Sequence, residues 1–443
     1  MVWALLWSAS LNGLNFKPFE DGHSRTSVYD GENDNKWAGD GMTRTGKCFA
    51  VSMITVCQLM ALALWFSATA VLPQLRAEFD LGALQSSLFT SSVLFGFVLG
   101  TLISAVLGLA DRIEPRRFWA ASAFIAATAN ILILTVPIDG GIVIALRVVT
   151  GICMAGIYPI GMKMVATWSR GDTGFLVGVL VGALTLGSAL PHLFSVVVPL
   201  DWRWVIVAAS VSAYAAALVI LFVDLGGTPG ASPRFDPRMV GHIWANKPLR
   251  YACYGYFGHM WELYAMWGWI GLFLYSSLSD RLIENAGVWS ALSTFGIVGI
   301  GAFGSLAGGY FADRMGRTTV TIVAMCISGL CALLVGALAD APFAVLFVIC
   351  LVWGLSVIAD SAQFSSCVIE LADPHQVGTA LTLQNAIGFI IALLSIHLVP
   401  VVADAFGWWG AFAMLSIGPL LGVLAMIRLR MMPEAGLLPG GKK

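Results

Sequence analysis

Four ionisable side chains stand inside long apolar runs of this sequence: Arg147, His259, Glu262 and Asp360. A charge at the centre of a membrane helix costs ~3 kcal/mol on insertion scales, so each marks a path for substrate or protons as a first hypothesis. His259 and Glu262 are three apart, on one helix face a turn apart. Glu262 falls roughly 18 Å into its helix, near the midplane, where a carboxylate suits taking up and releasing a proton that His259 could relay. A structural pair is the alternative. Asp360 and Gln363 share a polar stretch that either binds polar groups of a substrate or bonds Gln384 and Asn385 on the next helix. Arg147 could hold an anion or neutralise an acid; two acids and one arginine are close to self-balancing, which favours the second. His192 and His397 are weaker candidates, because a neutral histidine can simply bond a backbone carbonyl. Trp261, Tyr264, Trp267 and Trp269 flank Glu262 and form either plain packing or a wall for a flat or cationic solute.

The elements that position these groups follow from composition. Of 443 residues, 58% are hydrophobic and 11% charged, with a mean hydropathy of +0.84 and a net charge of −1. A soluble domain carries about 25% charged residues. A disordered chain, a soluble enzyme and a nucleic-acid binder therefore fit poorly, and a polytopic membrane protein remains. The cysteines fall in or beside apolar runs without a C-x-x-C, as small core residues do. No zinc spacing or hydrolase motif occurs. Gly41–Cys48 misses a phosphate-binding loop at Cys48, and Gly299–Gly304 matches G-x-G-x-x-G only inside an apolar helix.

A spanning helix needs ~20 apolar residues. Twelve such runs are predicted at 49–72, 85–108, 118–137, 141–165, 174–198, 204–223, 250–276, 287–311, 318–339, 342–367, 378–400 and 408–428. They divide into bundles of six, at 48–223 and 250–430, joined by a Gly- and Pro-rich linker at 224–249. A polar extension covers 1–47 and a tail covers 431–443. Met42 opens a basic lead into the first helix, so residues 1–41 are expected to be dispensable; failure of a chain starting at Met42 to insert would refute that. With the N-terminus in the cytoplasm, only Arg76, Arg203 and Arg281 of the 24 Lys and Arg lie on the opposite side, with Arg147 inside a helix. Both termini are then cytoplasmic.

Two loops repeat one chemistry. The second runs from Gly309 through Asp313, Arg314, Gly316 and Arg317. The first carries Asp111, Arg112 and Arg116, with its glycine at Gly108 and Glu114-Pro115 where Gly-Arg would stand. The second loop resembles, position for position, the G-x-x-x-D-R-x-G-R motif of the major facilitator superfamily, and the first is an imperfect copy. Arg147–Gly151 resembles that family's R-x-x-x-G element. The resemblance covers residues 48 to 430. It implies an all-α membrane fold of twelve helices in two six-helix pseudo-repeats around a central cavity, lined by helices one, four, seven and ten. It also implies that the two loops latch the outward-facing state. Physically, Asp followed by basic residues at a helix end can pair with a neighbouring helix, and Gly309 is expected to permit close backbone approach.

The expected function is secondary active transport of a small organic anion or zwitterion, coupled to protons, by a monomer in the cytoplasmic membrane. Proton-driven efflux of an apolar or cationic compound is the alternative. A membrane-embedded enzyme suits the twofold repeat less well, and a channel would place its charges in rings. No cofactor, metal, catalytic residue or nucleic-acid partner is expected. Nitrate porters of the family are expected to use an arginine from each half, whereas here Arg147 stands alone.

Overall fold

The computed structural model describes residues 44–169, 173–197, 201–227, 239–373 and 376–438. Most of the expected N-terminal extension and much of the linker lie outside them. Among the described residues the chain is helical, without strands. The spans are α1 (Arg44–Phe66), α2 (Ala83–Leu107), α3 (Pro115–Leu132), α4 (Gly141–Ala166), α5 (Thr173–Val197), α6 (Trp202–Val219), α7 (Lys247–Asp280), α8 (Ala286–Met315), α9 (Arg317–Ala337) and α10 (Phe343–Leu371). The last helix, Val377–Arg430, has 54 residues. At 1.5 Å per residue it would measure roughly 80 Å, far beyond the ~30 Å of a bilayer core. Gly407, at φ 69° and ψ −180°, breaks it into α11 and α12. Such a backbone is open almost only to glycine. Ten helices of the described residues are long and apolar enough to span; with α7, which is longer but less apolar, and with the last helix divided at Gly407, the helices are consistent with two pseudo-repeats of six.

Several boundaries differ from expectation. α1 stops at Phe66, and a turn leads into the short helix Leu72–Phe79. Arg44–Lys47, assigned to the polar extension, already belong to α1. α7 extends at both ends, because Asn246 caps it by accepting the Leu249 N–H at 3.2 Å and Pro248 occupies its first turn. The linker carries a further short helix, Val240–Ala245.

The pseudo-symmetry is visible in how glycines let backbones touch. In the first half, Gly96 and Gly100 of α2 lie against the backbone of α4 at Val148 and Ile152. In the second, Gly304 and Gly308 of α8 lie against α10 at Leu355 and Ala359. Both pairs have the four-residue spacing of small residues at membrane helix contacts. Gly309, expected to make this approach, instead faces open space; its neighbour Gly308 makes it. The halves meet where α2 packs on α11 and α5 packs on α8. We call the end of the bundle that carries Asp111 and Asp313 the motif end, and the opposite one the far end.

Candidate functional site

Arg147 is wholly buried near the far end of α4. Its guanidinium donates to three backbone carbonyls: Phe89 from Nε at 3.2 Å, Leu64 from Nη1 at 3.0 Å and Trp65 from Nη2 at 2.7 Å. Nη1 also reaches Ser67 Oγ at 3.3 Å and Asn130 Oδ1 at 3.4 Å. Leu64 and Trp65 sit in the last turn of α1, where carbonyls lack partners within the helix and carry its negative dipole end. The cation is thus balanced by the end of a helix. Neither expectation for Arg147 holds, since its hydrogen bonds go to no carboxylate and each of its three guanidinium nitrogens is engaged by protein oxygens. Asn130 extends the network, taking the Ser67 hydroxyl at 2.7 Å and donating to Ser210 Oγ of α6 at 3.0 Å.

In the second half the buried ionisable groups of the site include two acids, on α7 and α10. Glu262 of α7 is buried and accepts from Trp353 Nε1 of α10 at 2.7 Å and Ser328 Oγ of α9 at 2.9 Å. His259 Nδ1 lies 2.9 Å from Asp360 Oδ1. That is ion-pair distance without an aligned hydrogen bond, and both His259 Nε2 and Asp360 Oδ1 are buried with no hydrogen-bond partner. His259 and Glu262 share a face of α7, yet each turns to its own partner on α10. His259 therefore contacts Asp360 rather than relaying to Glu262. Gln363 belongs with neither acid: its Oε1 accepts from Arg317 Nη1 at 2.7 Å. Asn385, offered as its partner, accepts the Tyr256 hydroxyl at 3.0 Å instead.

The repeated loops at the motif end make ion pairs inside each half. Asp111 pairs with Lys163 of α4 at 2.6 Å, and that ammonium also donates to the Ala110 carbonyl at 2.8 Å. Arg112 is exposed at the end of the same turn. Glu114 caps α3, accepting the Arg117 N–H at 3.0 Å and Arg116 Nε at 2.7 Å. Burial alone would raise this carboxyl, but the Arg116 guanidinium and the backbone N–H groups outweigh it and hold it below its usual value. In the second loop Arg317 grips Glu370 of α10 with Nε at 2.9 Å and Nη2 at 2.6 Å. Asp313 is close enough for its charge to act on Glu370, while Arg314 lies over the Tyr310 ring, 3.4 Å from its centroid. The φ values of +62° at Gly108 and +93° at Gly316 explain the glycine of each loop.

Between the halves, aromatic rings fill the expected central cavity. Trp65 of α1 lies 5.1 Å from Phe97 of α2 and stacks at 6.1 Å on Tyr264 of α7. Phe389 of α11 closes the group, 4.9 Å from Phe97 and 5.2 Å from Tyr264. Toward the far end, Phe66 meets Trp267 at 5.8 Å, and Ser91 Oγ of α2 bonds His397 Nε2 of α11 at 2.9 Å. His192 of α5 packs against Gly271 of α7. Toward the motif end, a small pocket between α2 and α11 is lined by Phe97, Val98, Thr101, Thr382, Asn385 and Phe389. Sequence reasoning missed Trp65, Phe97 and Phe389, which look like any apolar residue until the halves are assembled. Asn130 and Glu370 did carry a signal, as polar residues in apolar runs. Among the described residues, no cluster of three or more His, Cys, Asp or Glu could hold a metal ion.

This arrangement defines a polytopic helical membrane protein with two pseudo-equivalent halves closing on a central site. The chain belongs to the Major Facilitator Superfamily, whose profile matches residues 54–396. Among functionally curated proteins none matches this sequence. Solved structures share the fold at low identity. A D-xylose–proton symporter is 14% identical with a TM-score of 0.70, over 88% of this chain and 99% of the other. The nucleoside transporter NupG is 14% identical with a TM-score of 0.66, over 86% and 99%. A bacterial homologue of the human lysosomal transporter Spinster, solved inward-facing and unoccupied, is 13% identical with a TM-score of 0.65, over 88% and 96%.

Proposed function

We propose that this chain is a secondary active transporter that carries a small solute by alternating access and couples it to protons at the acids of its second half. The observation carrying this reading is Glu262, a buried carboxylate held by two neutral donors, Trp353 and Ser328. A carboxyl so placed can be charged in one state and protonated in another, while an acid fixed to an arginine would stay charged. Asp360, in contact with His259, is the second exchangeable site. The motif loops face the cytoplasm, as the Lys and Arg bias requires, with both termini on that side of the cell membrane and the monomer as the working unit. The paired loops hold α2, α4, α9 and α10 in order within their halves, and their release and re-pairing set the balance between states.

Recognition of an anion by Arg147 is dropped from this reading, because its donors are taken by α1, α2 and α3. The aromatic core instead favours a solute that stacks. Export of an apolar or cationic compound against protons is the second reading, drawn from the same core and the acids beside α7.

The test is solute-dependent proton movement in liposomes holding the purified protein, with a pH gradient imposed in either direction. The expected result is saturable solute flux that follows the gradient and is uncoupled by Glu262→Gln. Flux indifferent to the gradient would refute the coupling, and product formation without a gradient would return the enzyme reading.

A further inference from the structure

Among the described residues seven tryptophans are buried: Trp65, Trp119, Trp168, Trp202, Trp267, Trp269 and Trp353. Five of them satisfy the indole N–H. Trp119 donates to Gln58 Oε1 at 3.1 Å, Trp168 to the Asp224 carbonyl at 3.2 Å and Trp202 to Glu78 Oε2 at 2.7 Å. Trp269 donates to the Ile396 carbonyl at 3.0 Å, and Trp353 to Glu262. The two that find no acceptor are Trp65, 1% exposed, and Trp267, 2% exposed. Both are ring neighbours of Tyr264, with Trp65 stacked on it at 6.1 Å and Trp267 edge-on at 5.8 Å. Leaving a buried donor unpaired is costly, and native proteins seldom do so without a reason. Here both exceptions fall at the one place where the halves meet ring to ring.

Two other features bear on this place independently. The rings come from opposite halves, Trp65 and Phe97 from the first and Tyr264, Trp267 and Phe389 from the second. Any rocking of the halves pulls these faces apart, and a planar ring is what can replace the lost stacking. A small, mostly apolar pocket between α2 and α11 also abuts Phe97 and Phe389, with Thr101, Thr382 and Asn385 among its lining residues.

We infer that the transported solute is a planar aromatic or heteroaromatic compound carrying hydrogen-bond acceptors at its edge, stacked between the halves with its acceptors on the Trp65 and Trp267 indoles. Carbonyl, carboxylate or ring nitrogen atoms serve as acceptors; a saturated polyol offers no face to stack. The inference rests on the transport reading above for its setting, but its test is a binding measurement and needs no gradient.

The purified full chain is titrated calorimetrically, at up to ~10 mM, with benzoate against cyclohexanecarboxylate, nicotinamide against cyclohexanecarboxamide, and uracil against 5,6-dihydrouracil. Glucose and glycine serve as non-planar probes. A planar probe should bind at least roughly tenfold tighter than its saturated partner. Trp65→Phe and Trp267→Phe keep a ring in place and remove the donor, so each should weaken that probe by roughly tenfold while leaving unfolding of the free protein unchanged. Trp269→Phe, whose N–H is bonded elsewhere, is the control and should not weaken it. Preference for a saturated probe, failure of every planar probe to bind, or equal losses in all three variants would overturn the inference. Gradient-driven uptake of glucose or glycine would overturn the aromatic class and leave the transport reading standing. Aromatic binding without any flux would do the reverse.

Discussion

The two halves of this molecule use the same helices to opposite ends. In the first half the buried charge is Arg147, and its donors end on the carbonyls of α1 and α2 and on Asn130. Backbone carbonyls do not titrate, so the partners of this charge keep their state. In the second half the buried charges are carboxylates, met by Trp353, Ser328 and His259. These partners are side chains, so they can re-pair without breaking the helices that carry them. The difference is one of attachment: one charge is tied to the backbone of neighbouring helices, the others to side chains.

The largest effect should come from breaking the backbone attachment. Arg147→Leu removes the donors to the Leu64, Trp65 and Phe89 carbonyls in the interior, leaving only the Ser67 hydroxyl at the end of α1, and should cost about 3 kcal/mol or more. Thermal unfolding of the purified protein reads this directly, with Arg147→Lys intermediate. Unchanged stability would dissolve the contrast between the halves.

Glu262→Gln should behave in the opposite way. The glutamine carbonyl can still accept from Trp353, and its NH2 can donate to Ser328 Oγ once that hydroxyl turns its proton away, so stability should stay within about 1 kcal/mol of the parent. Accumulation against a solute gradient should fall by more than roughly tenfold, with exchange of labelled for unlabelled solute retained. Asp360→Asn sharpens the same side of the comparison. It leaves His259 without its acid, and the rate of transport should fall several-fold without a loss of fold.

Smaller effects lie where the halves touch and at the loop ends. Ser91→Ala removes a hydrogen bond that closes the far end onto His397, and should move the conformational balance by roughly fivefold toward opening there. Spin labels at Leu84→Cys and Trp289→Cys, with the exposed Cys326 replaced by Ser, would report the distance distribution. Glu114→Gln should cost under about 1 kcal/mol, because this cap is solvent-screened. Since the folded carboxyl titrates below its unfolded value, its contribution is present above the unfolded value and fades as pH falls through the folded one. The difference in unfolding midpoint between parent and Glu114→Gln should therefore shrink on acidification.

Much of this fold is legible in the sequence because lipid imposes a simple rule: apolar runs of bilayer length are helices. The loop motif and its repeat were legible for the same reason, as conspicuous charges in an apolar text. What escaped was pairing. Two residues three apart look like partners, yet His259 and Glu262 diverge because antiparallel α10 offers Asp360 to one and Trp353 to the other. Arg147 looked like a charge in search of an acid because sequence does not reveal that α1 stops at Phe66 with free carbonyls beside it. Gln363 looked like part of a central site because nothing in its own segment announces Arg317. The aromatic core was half visible: Tyr264 and Trp267 stood out on α7, while Trp65, Phe97 and Phe389 acquire meaning only once α1, α2 and α11 converge on them.

One further consequence is mechanical. The second half turns two of its corners on single glycines, Gly316 between α8 and α9 at the motif end and Gly407 between α11 and α12 at the far end. The outer arms, α9 and α12, are clasped to each other, Gly329 against Pro419 and Arg430 on Thr319. The inner arms, α8 and α11, are those that bear on α5 and α2 of the first half. Two stiff brackets joined back to back form a truss. The clasp between α9 and α12 thus ties the two corners to each other and, through them, the inner arms that face the first half.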